Sequence, residues 1–276
     1  MGRGLIMGND NNKVWRFVGA SMTGTSHLKT GDSCSDAFEY KLLPNGVIIV
    51  AVADGAGSAE RGGEGAKLAV ETAMTYMMEV LRELPPDYES GWLAIIEKAY
   101  ESAQMAIEIE AANYDKTMRD YATTLVLVAM AEGWTACGLI GDSAAVALDN
   151  NDELISLCQP QKGEYANMTN FLSQPNALEV LDIQIRTEMM QGLAVMSDGL
   201  LPLAINIVQN KPYPPFFNPL FTFVASIESN EGDEDNAHQQ LESFLDSERV
   251  NARTDDDKTL VLVRKANPRN STFLND

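Results

Sequence analysis

The sequence predicts an α+β fold in which antiparallel sheets are covered by helices. Stretches rich in Val, Ile and Phe occur in two blocks, and long amphipathic stretches lie between and after these blocks instead of alternating with each strand. The chain has 276 residues, 45% of them hydrophobic, which is enough for a large core. Because no linker or repeat divides it, we expect one domain at residues 14–266, with a frayed stretch at 1–13 and a tail at 267–276.

The first block predicts three strands, at residues 14–22, 37–43 and 46–53, with turn residues between them. Apolar residues then recur at helical spacing from Glu64 to about Leu84. The segment LPPDYES ends this pattern, and a second amphipathic helix is expected from about Gly91 to Tyr114. The first part of the chain is therefore three strands followed by two helices.

The second block predicts strands with the sequences YATTLVLVAMA, WTACGLIGD, AAVALD, ELISLC, VLDIQIRTEMM and GLAVMSD. Residues 159–176 are polar and interrupted by turn residues, so we interpret them as a flap outside the sheets. A helical stretch follows from Leu200, and the Pro-rich segment 210–219 is expected to connect it to a third helical region. An acidic patch leads to a fourth helix, and KTLVLVRK forms the last strand.

Charge and composition exclude several classes of protein. Forty Asp and Glu residues against twenty Lys and Arg give a net charge of −20, which opposes binding to nucleic acid or anionic membranes. Apolar runs are too short to span a bilayer, and the N-terminus lacks the apolar core of a signal peptide. Three scattered cysteines indicate reduced thiols, and none has an Arg six residues later, as the loop of a cysteine-based phosphatase requires. We expect a cytoplasmic protein.

The segment VIIVAVADGAGSAERGGEGAKLA, which begins at Val47, places Asp54-Gly55 where a buried strand ends. A dinucleotide-binding loop is excluded because Glu60 stands where its third glycine is needed, and a P-loop is excluded because no Lys-Ser or Lys-Thr pair follows. A hairpin turn remains an alternative for one isolated Asp-Gly. The other alternative is a metal ligand held at a strand end.

Repetition of this feature favours the metal ligand. Acidic residues also lie at four other predicted strand ends, namely at Asp36, Asp142, Asp198 and the pair Asp256-Asp257. Strand ends hold carboxylates at one edge of a sheet, and hard cations such as Mg²⁺ and Mn²⁺ prefer carboxylate and carbonyl oxygens. Two such ions can activate a water and neutralise a phosphate.

Six motifs, in order, resemble those of the PPM/PP2C family of metal-dependent Ser/Thr phosphatases: SCSDAF, VAVADGAG, YATTLV, LIGDSAAV, AVMSDGL and DDDKTLVLV. The resemblance runs from Phe17 to Val263. GEYANMTNFL, within the predicted flap, is similar to the short-flap bacterial branch of that family. The resemblance implies an αββα sandwich, in which two antiparallel sheets lie face to face with helices on both outer sides.

The resemblance also implies a ligand set for two core ions. Asp54 would bridge the ions, and the carbonyl of Gly55 would bind the second. Asp198 and Asp256 would complete the first, and Asp36 would hold waters on the second. Catalysis would therefore depend on Asp54, Asp198 and Asp256 through a metal-activated water.

A third, weaker ion would lie between Asp142 and Asp198, although Pro202 replaces an Asp that helps to hold it in the family. Thr123 and Thr124 would support the sheet beneath the site. Many family members have a proton-donating His two residues after the bridging Asp, where this chain has Ala56.

The family's phosphate-gripping Arg, upstream of the first acidic motif, is also absent. His27, Lys29 and Arg61 are candidates to contact phosphate in its place. Asp255 and Asp257 are interpreted as solvated neighbours of Asp256.

The expected activity is hydrolysis of phosphoserine and phosphothreonine in proteins, by a water activated by two or three Mn²⁺ or Mg²⁺ ions and without a phosphoenzyme. The expected partners are phosphorylated proteins, specifically a cognate Ser/Thr kinase and its targets, in cytoplasmic signalling by a monomer. Two alternatives remain. One is a catalytically silent module that binds phosphoproteins, and the other is a phosphatase for small metabolites.

Overall fold

A computed structural model describes residues 15–161, 169–206, 209–227 and 233–266. The predicted N-terminal stretch 1–13, the tail 267–276 and residues 162–168 of the predicted flap lie outside the described residues.

The strands, numbered in chain order, form two five-stranded sheets in which all neighbours are antiparallel. The first sheet has the spatial order β1 (Trp15–Met22), β12 (Lys258–Lys265), β9 (Gly192–Met196), β6 (Ala144–Leu148) and β7 (Leu154–Cys158). The second has the order β2 (Asp36–Leu42), β3 (Ile48–Asp54), β4 (Leu125–Ala131), β5 (Trp134–Ile140) and β8 (Asp182–Arg186). A small hairpin joins β10 (Ile205–Asn206) to β11 (Lys211–Pro212).

The apolar sequence of β3 shows why the sheets stack face to face. Successive side chains of a strand point to opposite faces. Ile48, Val50 and Val52 pack in the core between the two sheets. Ile49 and Ala51 pack against helices on the other face. Because both faces are buried, the strand is a continuous apolar run instead of an alternating one.

Helices cover the outer face of each sheet. The second sheet is covered by α2 (Gly62–Leu81) and α3 (Glu89–Asn113), and the first by α5 (Pro214–Ala225) and α6 (Asp233–Leu245). Three shorter helices are α1 (Thr25–Thr30), α4 (Leu201–Ala204) and α7 (Glu248–Asn251). The predicted αββα sandwich is confirmed. No helix in the described part of the chain is long and apolar enough to cross a membrane.

Two local predictions differ from the structure. Helix α5 begins at Pro214, inside the segment 210–219 that was expected to be a connection. Proline is tolerated in the first turn of a helix because its missing N–H would be unpaired there anyway. Strand β4 begins at Leu125 and not at Tyr121, since Met118–Tyr121 forms a 3₁₀ turn.

The strand ends that carry acidic residues meet at one edge of the sandwich. Asp36 is paired with Asp54 across β2 and β3. In the other sheet, Met196 pairs with Ala144 on one side and Leu260 on the other. The end of β9 therefore lies beside the starts of β6 and β12, and the acidic residues next to these ends belong to the same edge.

Candidate active site

Asp54 is fixed through its backbone by two threonines on the segment that leads into β4. Its amide donates to Thr124 Oγ1 at 3.0 Å, and its carbonyl oxygen accepts from Thr123 Oγ1 at 3.0 Å. Both threonines are buried. They hold the last residue of β3 in place, which is the supporting position that the sequence predicts for them.

Gly55 lies where the backbone of α2 approaches most closely. A Cβ atom at this position would be 2.3 Å from the carbonyl carbon of Gly62, so only glycine fits without moving one of the two segments. The Gly55 amide donates to Ser35 O at 3.1 Å. The turn after Asp54 is thereby packed against both the start of β2 and the start of α2.

Asp36 connects the two sheets through its carboxylate. Ser197 Oγ and Thr259 Oγ1, both from the first sheet, donate to Asp36 Oδ2 at 2.7 Å each. The other oxygen, Oδ1, is enclosed and has no hydrogen-bond partner among the described residues. One oxygen is therefore held by two hydroxyl groups, and the other has no described partner.

The first sheet and its loops bring three more carboxylates to the same place. The carboxyl group of Asp198 is electrostatically coupled to that of Asp54, and its Oδ1 is also enclosed without a partner in the described part of the chain. Asp142 accepts a short hydrogen bond from Thr169 Oγ1. Asp256 is exposed, and its Oδ1 accepts from the backbone N–H of the next residue at 2.9 Å.

These carboxylates raise one another's pKa. Burial, with added repulsion from neighbouring carboxylates, raises the pKa of Asp36 to about 7 and that of Asp198 to about 6. The same causes raise the pKa of Asp54 well above its ordinary value, and burial raises the pKa of Asp142. A low-polarity surrounding and nearby like charges both disfavour the ionised form.

The donor set fits hard divalent cations. Carboxylate oxygens are the ligands that Mg²⁺ and Mn²⁺ prefer. Asp36 and Asp198, whose like charges raise the pKa values of the cluster, each have one enclosed oxygen without a partner among the described residues. Within the described residues, no three His, Cys, Asp or Glu side chains are already arranged around one ion position.

Asp257 is not a solvated neighbour, and that prediction is wrong. Only 4% of its side chain is exposed. Its Oδ1 accepts from the amide of Gly24 at 2.6 Å, and its Oδ2 accepts from the amide of Ser35 at 2.6 Å. Oδ2 also lies 3.0 Å from His27 Nδ1. The carboxylate joins β12 to the segment between β1 and β2, and nothing in the local sequence signals this contact.

His27 therefore has a fixed orientation near the site. Its Nδ1 is held by Asp257, while its Nε2 is 3.4 Å from the position that a Cβ of Gly57 would take. Gly57 belongs to the loop that follows Asp54-Gly55. The His27 side chain is 19% exposed, so the ring lies near both the loop that carries Gly57 and solvent.

Arg61 and Lys29 are the other two candidates for a contact to phosphate. Arg61 is bound to Glu64, with Nε 2.9 Å from Oε1, donates to the Tyr121 hydroxyl, and lies 4.3 Å above the ring of Tyr114. Its guanidinium is thus part of a network at the start of α2. Lys29 is exposed near the end of α1.

Comparison with known protein families settles the class of the chain. The model of the family described as Protein phosphatase 2C matches residues 23–246. The chain belongs to the protein phosphatase 2C family. It is a PP2C-type serine/threonine protein phosphatase, a hydrolase.

Individual relatives agree with this assignment. The PP2C chain is 35% identical over 257 residues to Serine/threonine-protein phosphatase 3 of Escherichia coli (strain K12), matching 90% of this chain and 98% of that protein.

Solved PP2C structures share the sandwich fold. The serine/threonine phosphatase Stp1 from Staphylococcus aureus superposes with a TM-score of 0.59 at 15% identity, covering 95% of this chain and 98% of that one. The catalytic domain of the phosphatase PstP in complex with two manganese ions has a TM-score of 0.60 at 17% identity, covering 93% and 100%.

Proposed function

We propose that the edge of the sandwich described above is the phosphatase's metal centre and active site. Its ligands are Asp54, the Gly55 carbonyl, Asp198, Asp256, Asp36 and Asp142. One observation supports the proposal. Asp36 and Asp198 each have an enclosed carboxylate oxygen with no partner among the described residues, and both raise the pKa of a third carboxylate, that of Asp54. Such a cluster of buried carboxylates lowers the stability of the folded protein by itself and is stabilised when cations bind.

Each ligand has a distinct part in this proposal. Asp54 would be shared between two ions, because its pKa is raised by both Asp36 and Asp198 and it is paired with Asp36 across β2 and β3. Two or three bound Mn²⁺ or Mg²⁺ ions would supply the Lewis acidity that activates a water and neutralises the phosphoryl charge. Asp142, beside Asp198, is the ligand for the third.

The proposed substrates are phosphoserine and phosphothreonine residues of proteins, with a cognate Ser/Thr kinase and its targets as physiological partners. The E. coli relative's name supports the choice of residues. The proposed setting is signalling in the cytoplasm by a single-domain monomer.

We assign His27 as a contact to the substrate phosphate. Asp257 acts on phosphate only through His27, because it fixes the ring by holding Nδ1 and leaves Nε2 facing the Gly57 loop. A hydrogen bond to a charged partner contributes about 1.5–3 kcal/mol. This contact would take the place of the Arg that the sequence lacks.

The metal centre is tested with purified protein on p-nitrophenyl phosphate and a phosphothreonine peptide, in Mn²⁺, in Mg²⁺ and in EDTA. We expect metal-dependent hydrolysis of both substrates and its loss in Asp54→Asn and Asp198→Asn. Asp152→Asn is the matched control, since Asp152 is exposed in the turn at the far end of β6. Metal binding without turnover would instead favour the phosphoprotein-binding module, and a strong preference for sugar phosphates would favour the metabolite phosphatase.

The His27 contact is tested by His27→Gln. We expect KM for the phosphopeptide and the inhibition constant for inorganic phosphate to rise about tenfold or more, which corresponds to the loss of one such hydrogen bond. The Mn²⁺ dependence should not change. Because the chain has two histidines, His238→Gln leaves one ring for nitrogen NMR, which should show a protonated Nδ1. Unchanged phosphate inhibition in His27→Gln would leave His27 with a structural role only.

A further inference from the structure

A cleft of about 650 Å³ opens in the helical layer that covers the first sheet. Its walls come from α4, the β10–β11 hairpin, α5, α6 and the α7 region. Small-molecule sites typically occupy about 300–1,000 Å³ and are mostly apolar with a few polar groups. The cleft therefore has the size of a ligand site, and the carboxylate cluster does not line it.

The inner wall of the cleft is apolar. Phe216, Leu220, Leu241 and Val250 line it and belong to the buried core of this layer. Phe244 lines it from a partly buried position. Such a surface favours a hydrocarbon or aromatic body, since burial of apolar area is worth roughly 25 cal/mol per Å².

Two arginines give the cleft a cationic side. Arg249 and Arg253 line it, and both are exposed. Neither forms an ion pair with a described residue, in a chain whose net charge is −20. A guanidinium binds carboxylate or phosphate through two parallel hydrogen bonds. An apolar wall beside two guanidinium groups that have no ion-pair partner among the described residues is complementary to an amphipathic anion.

The walls of the cleft are continuous with the segments that carry two site carboxylates. Leu203 follows Asp198 by five positions, and Arg253 precedes Asp256 by three. These two segments are in direct contact, because a Cβ at Gly199 would lie 2.0 Å from the carbonyl oxygen of the residue after Asp256. A molecule held between the walls would therefore contact the two segments that carry Asp198 and Asp256.

We propose that this cleft binds a small amphipathic anion, with an apolar body and a carboxylate or phosphate head, and that its occupancy changes the metal dependence of the phosphatase. Binding itself does not depend on the proposed metal ligands. It is measured with the full chain in EDTA, so its failure is separate from failure of the active-site proposal.

The probe is decanoate, titrated calorimetrically below its micelle concentration. We expect saturable 1:1 binding that weakens at least tenfold in the double variant Arg249→Gln/Arg253→Gln, and no binding of decyltrimethylammonium. The matched control is Arg82→Gln/Arg119→Gln, which removes two exposed arginines near the opposite helical layer. Decyl phosphate, compared with decanoate, identifies the preferred head. The proposed site would be overturned if decanoate bound equally to both double variants, or if decyltrimethylammonium bound as tightly as decanoate.

The effect on the active site has a separate readout. The Mn²⁺ concentration for half-maximal hydrolysis should shift at least threefold when decanoate saturates the wild-type protein, and should not shift in Arg249→Gln/Arg253→Gln. Leu203→Trp, which fills the cleft from a partly buried position, should remove both binding and the shift while the protein remains folded. Binding without a shift would overturn the coupling.

Discussion

The two sheets supply their carboxylates to the site in different ways. The second sheet places Asp36 and Asp54 on paired strands, where the register β2–β3 fixes them opposite each other. The first sheet supplies Asp198 and Asp256 from the residues beside its strand ends, and Asp256 is exposed. The positions of Asp36 and Asp54, which form one half of the site, are thus fixed by strand pairing. The positions of Asp198 and Asp256, which form the other half, depend on how loops pack. Substitutions in the two halves should therefore have different consequences.

The largest difference in kcat/KM is expected between Asp54→Asn and Asp256→Asn. Asp54 lies at the centre of the cluster, so its loss should lower kcat/KM by about a thousandfold or more, equivalent to about 4 kcal/mol, and added Mn²⁺ should not restore it. Asp256 is exposed and a water can replace its oxygen, so Asp256→Asn should cost about 10–100-fold and recover partly at high Mn²⁺. Titration of activity with Mn²⁺ measures both. If both variants lost the same kcat/KM and recovered equally at high Mn²⁺, the two halves of the site would not differ in this respect.

Gly199→Ala tests the packing of the loop half. Its Cβ would lie 2.0 Å from Asp257 O, so the segments that carry Asp198 and Asp256 must separate. Overpacking of this kind typically costs about 1–3 kcal/mol. We expect a loss in this range in urea denaturation, together with weaker Mn²⁺ activation.

Gly46→Ala is the control for Gly199→Ala. Gly46 lies in the turn between β2 and β3, has φ +85°, and no atom would meet an added Cβ. It should lose stability through backbone conformation alone and keep the Mn²⁺ activation of the wild type. The proposed role of Gly199 fails if both variants change Mn²⁺ activation equally.

Thr259→Val tests the contact between the two halves. It removes one of the two hydroxyl donors to Asp36 Oδ2 and also the contact of that hydroxyl with Ser21 Oγ, while it preserves side-chain shape. The expected loss is about 1 kcal/mol of stability and a small decrease in kcat, because Ser197 still holds the carboxylate. Thr75→Val, whose hydroxyl bonds only to the preceding turn of α2, is the control and should change neither stability nor kcat.

The last effect expected is on the pH dependence of stability without metal. The folded pKa of Asp36 is about 7 and that of Asp198 about 6, both above the ordinary 3.8. The folded state binds more protons than the unfolded chain, so these groups reduce stability as pH rises from about 4 to about 7. Urea midpoints in EDTA should fall between pH 5 and pH 7.5, less steeply in Asp36→Asn.

Mn²⁺ should reverse that trend, because a cation that binds only the folded, ionised cluster stabilises it more as pH rises. The same urea series with Mn²⁺ in place of EDTA measures this. An identical slope in EDTA for the wild type and Asp36→Asn would show that Asp36 does not titrate in this range.

The sequence predicted correctly those strands and helices whose apolar pattern matches the faces that the fold buries. A continuous apolar run followed by Asp predicts a buried strand with a carboxylate at its end, and this holds for β3 and β9 because both faces of the sandwich's inner strands are covered. The helices α2 and α3 follow from their apolar spacing in the same way. Acidic residues at several strand ends therefore indicated a common edge before any three-dimensional information.

Contacts between distant segments were not predictable from local pattern. Asp257 bonds to residues about 230 positions earlier, and the sequence around it differs in no way from a solvated acidic turn. Helix α1, which carries His27, has six residues and none of them is buried, so it has no apolar periodicity to detect. The cleft likewise arises from the packing of several helices and has no signature in any one of them.

The position of β12 in the first sheet has a consequence for synthesis of the protein. β12 is the last strand described, yet it lies between β1 and β9 and pairs with both. A ribosome that has made the chain as far as Arg253 has already produced Asp36, Asp54 and Asp198. It has not produced Asp256, nor the Asp257 carboxylate that orients His27. If the proposed site is correct, we expect a chain that lacks β12 to be inactive, because β1 and β9 then lack the strand that pairs with both and two groups of the site are missing.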